Sequence, residues 1–219
     1  MREKFDFYEY VGLIAPGAVL LVGLLYLFPD LRGAFSKEGV TLGEFGLFLL
    51  IAYVGGHLVQ GVGNAVEWVW WGAWRGWPSD WARTGRLLPE RQRAKLLAAI
   101  NERFGYEIVD LEAVSEREWS TVTRQVYASV SSAGRAGRVD IFNGNYGLNR
   151  GVGAACLVLL VVAVGAGKGW LPGLVLAAAA AAALQRMHRF GRHYARELFV
   201  QFIGLPRPTV RDAGSSPAV

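Results

Sequence analysis

Four long apolar runs set the pattern of this chain. Val11–Phe28 is eighteen residues without a charge, Phe45–Val66 is twenty-two, and Gly151–Gly167 and Gly169–Gln185 are seventeen each. A helix needs about 20 mostly apolar residues to cross the hydrocarbon layer, with a range of roughly 17–25. The first two runs reach that length alone. The last two are parted by Lys168, whose long side chain can reach the interface. GAGKGWLPG therefore reads as the turn of a helical hairpin, with Trp170 at headgroup level. A buried soluble hairpin is the alternative for this pair. Pro16 and Gly17 inside the first run are tolerable in a membrane helix. The leader MREKFDFYEY mixes acids with bases and the run ends in LFPD, so a permanent anchor is expected rather than a cleaved signal.

Between the second and third runs lies a polar insert, about residues 72–149. It is too long for a structureless loop and too short for a large core of its own. PERQRAKLLAAINERFG places Leu96, Leu97, Ile100 and Phe104 at helical spacing and closes on Gly105. SERE at Ser115 resembles a capping box, predicting a second helix to about Val130. SSAGRAGRVD reads as a flexible connector. After the fourth run no breaker occurs before Gly204 and Pro206. On a helical wheel Arg186, Arg189, Arg192, His193 and Arg196 fall on one side, and Met187, Phe190, Tyr194, Leu198 and Phe202 on the other. The fourth helix is thus expected to continue as an amphipathic one.

Composition agrees with this pattern. Of 219 residues 53% are hydrophobic and 19% charged, below the roughly 25% charge of a soluble domain. An ordinary soluble enzyme, a disordered chain and a disulfide scaffold are all disfavoured, and Cys156, the lone cysteine, has no partner in the chain. The net charge of +5 is unevenly placed. Twenty Lys and Arg lie in the N-terminal tail, the insert with Arg150, and the C-terminal tail; three, Arg32, Lys37 and Lys168, lie on the other side. The positive-inside rule then puts both termini and the insert in the cytoplasm of a bacterial inner-membrane protein.

The expected fold is all-α: a four-transmembrane-helix bundle, a small helical cytoplasmic insert between helices 2 and 3, and an amphipathic cytoplasmic extension of helix 4. Residues 1–71 hold the tail and first two spans, 72–149 the insert, 150–205 the last two spans and basic helix, and 206–219 a disordered tail.

Polar residues inside the second run carry the candidate chemistry. In YVGGHLVQGVGNAVEWVWW, Tyr53, His57, Gln60, Asn64 and Glu67 fall within an arc of roughly 80° at about 100° per residue. Polar groups in hydrocarbon turn to a bundle interior, a cavity or one another. Gly55, Gly56, Gly61 and Gly63 beside them permit close helix approach. Interhelical hydrogen-bond glue, a hydrated path and a subunit contact all remain open. WVWWGAWRGWPSDW reads as an interfacial aromatic belt. Before the third run, Asp140, Asn143, Asn145, Tyr146, Asn149 and Arg150 form a polar cluster expected at the membrane face, as helix caps or pocket lining. Arg186, Arg189, Arg192 and Arg196 suit anionic lipid headgroups or the phosphates of a nucleotide.

No nucleophile elbow, phosphate-cradling loop or HExxH motif occurs, so no catalytic residue, metal or cofactor is expected. A pairing of His57 with His188 is the one arrangement left for a membrane-bound enzyme or redox protein.

FDFYEYVGLIAPGAVLL, GHLVQGVGNAVEWVWW, DIFNGNYGLNRGVGAA and RMHRFGRHYARELFVQF together resemble a family of small bacterial polytopic membrane proteins. The plan is more loosely similar to membrane effectors of anti-phage systems, CBASS-like and Hailong-type ones among them. That resemblance implies permeabilisation of the inner membrane after a nucleotide signal, and it assigns no site residues. Three functions follow: an oligomeric ligand-responsive channel or membrane-disrupting effector, a non-conducting scaffold or anchor presenting its insert to a partner, or the histidine-based enzyme. The expected partners are the bilayer, further copies of the chain and a nucleotide or other anionic ligand, with no sequence-specific nucleic acid.

Overall fold

The computed structural model describes residues 2–34 and 41–207, and among these it is helical throughout, with no strand. The helices are α1 (Arg2–Leu27), α2 (Leu42–Ala73), α3 (Asp80–Arg83), α4 (Glu90–Phe104), α5 (Glu116–Ser132), α6 (Gly137–Gly165) and α7 (Trp170–Ile203), with 3-10 turns at Pro29–Ala34 and Leu111–Ala113. Three of them, α2, α6 and α7, are long and apolar enough to cross a membrane, and α1 adds a shorter apolar stretch, Val11–Leu27. This composition is compatible with an integral membrane protein. Lys37 and most of the expected C-terminal tail lie outside the described residues.

The chain forms two compact units. The first comprises the residues up to Arg75 and Asp140–Gly191; the second comprises Gly76–Val139 and the chain from Arg192. Both α6 and α7 contribute to each unit. The boundary therefore differs from the expected 72–149 insert: residues 140–149 belong to the bundle, and the end of α7 belongs to the polar unit. The connector expected at SSAGRAGRVD shrinks to a few residues, because α5 runs to Ser132 and α6 starts at Gly137.

Small residues decide how the first unit closes. A Cβ on Gly17 would overlap the Ala52 carbonyl oxygen, and one on Gly56 would overlap that of Leu13, so α1 and α2 touch backbone to backbone. On α6, Gly151 accommodates Pro16 and Gln60, and Gly153 accommodates Leu184. Val59, Ala154 and Ala155 form a core beside Val19 and Leu20. A Thr41–Glu44 capping box starts α2, satisfying donors that the first turn would leave open. The α6–α7 turn carries Gly167 and Gly169 at positive φ (63° and 86°), and Lys168 sets its ammonium 4.4 Å from the centre of the Phe28 ring. Apolar side chains elsewhere point outward, Val161 (72% exposed) and Leu58 (70%) among them, which suits a lipid solvent rather than water.

The second unit has an apolar core of its own. A Ser115–Glu118 capping box starts α5, whose Trp119, Val122, Val126 and Val130 are all buried. Leu96 and Ile100 of α4 are buried too, and α4 ends on Gly105 in the left-handed conformation (φ 70°). The terminal part of α7 supplies the missing apolar layer. Phe199 stacks on Trp119 at 5.6 Å and Phe202 on Phe104 at 5.5 Å. Arg135 donates to the Gly204 carbonyl (2.7 Å) and Arg103 to that of Pro206 (2.6 Å), tying down the chain as it leaves the helix.

One carboxylate in this unit is poorly served. Burial pushes the Asp80 pKa up, and the nearby Glu116 adds to this, against the opposing Trp77 backbone N–H and Arg83. A raised acid pKa means that the folded state holds the proton more tightly than the unfolded one, so ionised Asp80 costs stability at neutral pH and the cost fades in acid. Asp80→Asn is expected to raise the thermal midpoint at neutral pH, the gain vanishing as the pH falls below the carboxylate range. Melts of both proteins across that range check it; equal midpoints at neutral pH would count against it.

Candidate functional site

The polar arc of α2 splits along its length. Glu67 and Gln60 occupy one edge of the arc, His57 and Asn64 the other, at about 100° per residue. The first edge turns inward. Glu67 is buried (6% exposed) and Gln60 half-buried, whereas His57 and Asn64 are exposed. Tyr53 lies between them, half-buried, with its ring edge-on to His57 at 4.7 Å.

Arg150 of α6 joins the inward pair. Its guanidinium donates from Nη1 to Glu67 Oε2 at 2.6 Å and from Nη2 and Nε to Gln60 Oε1 at 2.9 and 3.3 Å. Gly63 makes this reach possible: a Cβ there would stand 3.3 Å from Arg150 Cγ, so the bare glycine leaves the groove in which the arginine stem lies. Gln60 and Glu67 are two helical turns apart, and a planar fork with several donors can hold both. Gln60 then passes the contact on, donating from Nε2 to the Gly12 carbonyl of α1 at 3.0 Å.

The other carboxylate oxygen of Glu67 accepts the Tyr146 hydroxyl, and that hydroxyl accepts from Trp71 Nε1 at 2.8 Å. Tyr146 and Arg150 are four residues apart on α6 and so share a face. Gly191 of α7 lies under the rings of Trp71 and Tyr146, where a Cβ would be 3.0 and 3.1 Å away. His188, one turn earlier on α7, stacks on Trp71 at 5.0 Å and lies 4.7 Å from the Trp74 ring. Its Nδ1 accepts from Trp70 Nε1 at 3.2 Å. A polar chain thus runs from α1 through α2 and α6 to the aromatic bed of α7. Its charges balance as one carboxylate against one guanidinium, and both carboxylate oxygens are occupied. Such a closed network is chemically a clamp.

The remaining expected residues are distributed more widely. The cluster expected as a membrane-face group is one stretch of α6 divided by face. Tyr146 and Arg150 enter the clamp. Asn145 and Asn149 donate back to the carbonyls of Ile141 (2.8 Å) and Asn145 (2.7 Å) within their own helix, while Asn143 is exposed and Asp140 half-buried. They act within a helix, not as caps, because α6 already began at Gly137. In the first unit Arg186 and Arg189 are exposed, Arg186 standing 5.5 Å over the Phe190 ring. In the second, Arg192 is exposed and Arg196 donates to the Leu87 carbonyl at 3.3 Å. His57 and His188 do not meet: His188 packs at Trp70 and Trp74, about 20 Å along α2 from His57. Among the described residues no three His, Cys, Asp or Glu side chains gather to hold a metal.

The tryptophan-rich end of α2 is where sequence reasoning fell short. Trp68 (73% exposed) suits an aromatic belt, but Trp71 is fully buried and bonded into the clamp. The available signal was its position four residues after Glu67, on the same face.

No protein-family model, curated protein or solved structure matches this chain.

Proposed function

We propose that this is an integral inner-membrane protein acting as a non-conducting scaffold or anchor, with its polar unit offered to a cytoplasmic partner. The observation that carries this reading is the closed clamp. Gln60, Glu67, Tyr146 and Arg150, the groups best suited to line a hydrated path, are spent on one another inside a single chain. The cytoplasmic placement of the termini and polar unit rests on twenty basic residues against three. Arg186, Arg189, Arg192 and Arg196 then lie where anionic lipid headgroups would meet them.

A second reading is favoured by one further observation. His57 and Asn64 face outward from the bundle, and they would line a path formed among several copies. On that reading the protein is an oligomeric, ligand-responsive channel or membrane-disrupting effector of the anti-phage kind, with a nucleotide phosphate on the arginines.

Ion flux from liposomes holding the purified protein separates the two. The scaffold reading expects no flux above empty vesicles, with or without cyclic di- or trinucleotides. Nucleotide-dependent flux that is lost in His57→Leu or Asn64→Leu would replace it with the channel.

A further inference from the structure

The outward edge of α2 continues well beyond the two polar residues. Leu50, Val54, His57, Gly61, Asn64 and Trp68 are all exposed, Leu50 at 60%, Val54 at 54% and Trp68 at 73%. Their spacing is four, three, four, three, four. That alternation has a period of 3.5 residues, the repeat that keeps one seam of a helix facing a partner helix along its length.

Two of the six positions are polar, and both lie at hydrocarbon depth. Counted from the middle of the charge-free Phe45–Val66 run, His57 is about 2 Å and Asn64 about 13 Å along the axis, inside the ~15 Å half-thickness of the apolar layer. Lipid tails offer an amide or imidazole no hydrogen bond, so these groups call for a polar partner. Gly61 lies between them with no atom within 4 Å of where its Cβ would be, leaving room for a second backbone to approach.

The chemistry of the seam also selects the partner. Copies of one chain insert with the same topology, so their α2 helices run parallel, and a two-fold axis brings each seam position against itself. A residue that must pair with its own copy needs both a donor and an acceptor. Asn has both, and neutral His has both; a Glu, Lys or Arg would meet a like charge instead. Glu67 and Arg150, the acid and the arginine of the clamp, are accordingly held on the inward side.

We propose that a second copy of this chain packs in parallel against α2 along the Leu50–Val54–His57–Gly61–Asn64–Trp68 seam, with His57 and Asn64 hydrogen-bonding to their counterparts. This pairing does not depend on whether the protein conducts.

Oxidative crosslinking of the full-length protein tests it. With Cys156→Ala as background, single cysteines replace Leu50 or Val54 on the seam, or Ile51 or Val62 on the flank. The flank positions are themselves about equally exposed, at 40% and 41%. In phosphatidylethanolamine–phosphatidylglycerol vesicles at low protein-to-lipid ratio, the seam cysteines are expected to give covalent dimers and the flank cysteines none. Adding His57→Leu with Asn64→Leu to Val54→Cys should lower the dimerisation constant about tenfold or more, the scale of losing two interhelical polar contacts, and adding Gly61→Leu should lower the dimer yield by blocking the close approach. Circular dichroism on the same proteins should show unchanged helicity, since neither change touches the bundle interior. Absence of dimers at the seam, equal dimers at the flank, or a yield indifferent to Gly61→Leu would each overturn the pairing.

Discussion

Arg150→Ala is expected to be among the most damaging single substitutions in this protein, costing about 3–5 kcal/mol, because it leaves the buried Glu67 carboxylate without its countercharge. The loss should exceed what the missing bond alone contributes. Gln60 would lose both donors to its Oε1, and the Tyr146 hydroxyl would remain the one side-chain donor that the clamp offers Glu67. Arg150→Lys should recover little, since one ammonium cannot serve Gln60 and Glu67 as a planar fork does. The informative protein is the double variant Glu67→Ala/Arg150→Ala. Removing both charges leaves neither stranded, so it should be more stable than Arg150→Ala alone. Detergent-solubilised protein followed through thermal or denaturant unfolding supplies the cycle. Additive losses, with the double variant weaker than either single one, would show that the pair is not coupled and would remove the clamp from the account of this fold.

Two adjacent glycines give the second large effect, through their opposite outcomes. Gly56→Ala is expected to force α1 away from α2, because its new methyl would overlap the Leu13 carbonyl oxygen, which belongs to a helix backbone and cannot rotate aside. Overpacking a core usually costs about 1–3 kcal/mol, and a clash with backbone belongs at or above the upper end. Gly55→Ala should be harmless. Its methyl would meet Gly17 Cα and Leu20 Cδ2 at 3.9 Å, ordinary contact, and alanine gains about 1 kcal/mol over glycine in helix propensity. Melting both variants beside the parent decides it. If both are harmless, the α1–α2 approach is looser than described; if both are damaging, helix approach is not what distinguishes them.

Much of this architecture was legible in the amino-acid order, and the reason is that it is local. A charge-free run, an apolar repeat of three and four, and a capping box at Ser115 all lie within a few residues of what they specify. The helical hairpin at Lys168 was readable because two glycines bracket it, and both occupy positive φ. The continuation of the fourth apolar helix to Ile203 was readable because nothing in it breaks a helix. Less legible was where one unit stops and the other starts. α7 runs unbroken through Gly191, so no end of secondary structure marks the point where it passes from one to the other.

The candidate site divides in the same way. The sequence alone determined that α2 carries a polar arc through an apolar run, since the 3.6-residue turn converts spacing directly into a face. That Tyr146 and Arg150 share one side of a helix followed only from the early start of α6 at Gly137, since the apolar run that marks this helix in the sequence begins at Gly151. Tertiary structure decided which edge of the arc faces inward, and that choice turned five similar-looking polar residues into two groups. Glu67 and Gln60 are joined to Arg150 across 83 and 90 residues of chain, a separation over which no periodicity carries information. What selected the partner was room and charge: the groove beside Gly63 fits an arginine stem, and a buried carboxylate there requires a cation. His57 and Asn64, offset by a fraction of a turn, were left facing outward.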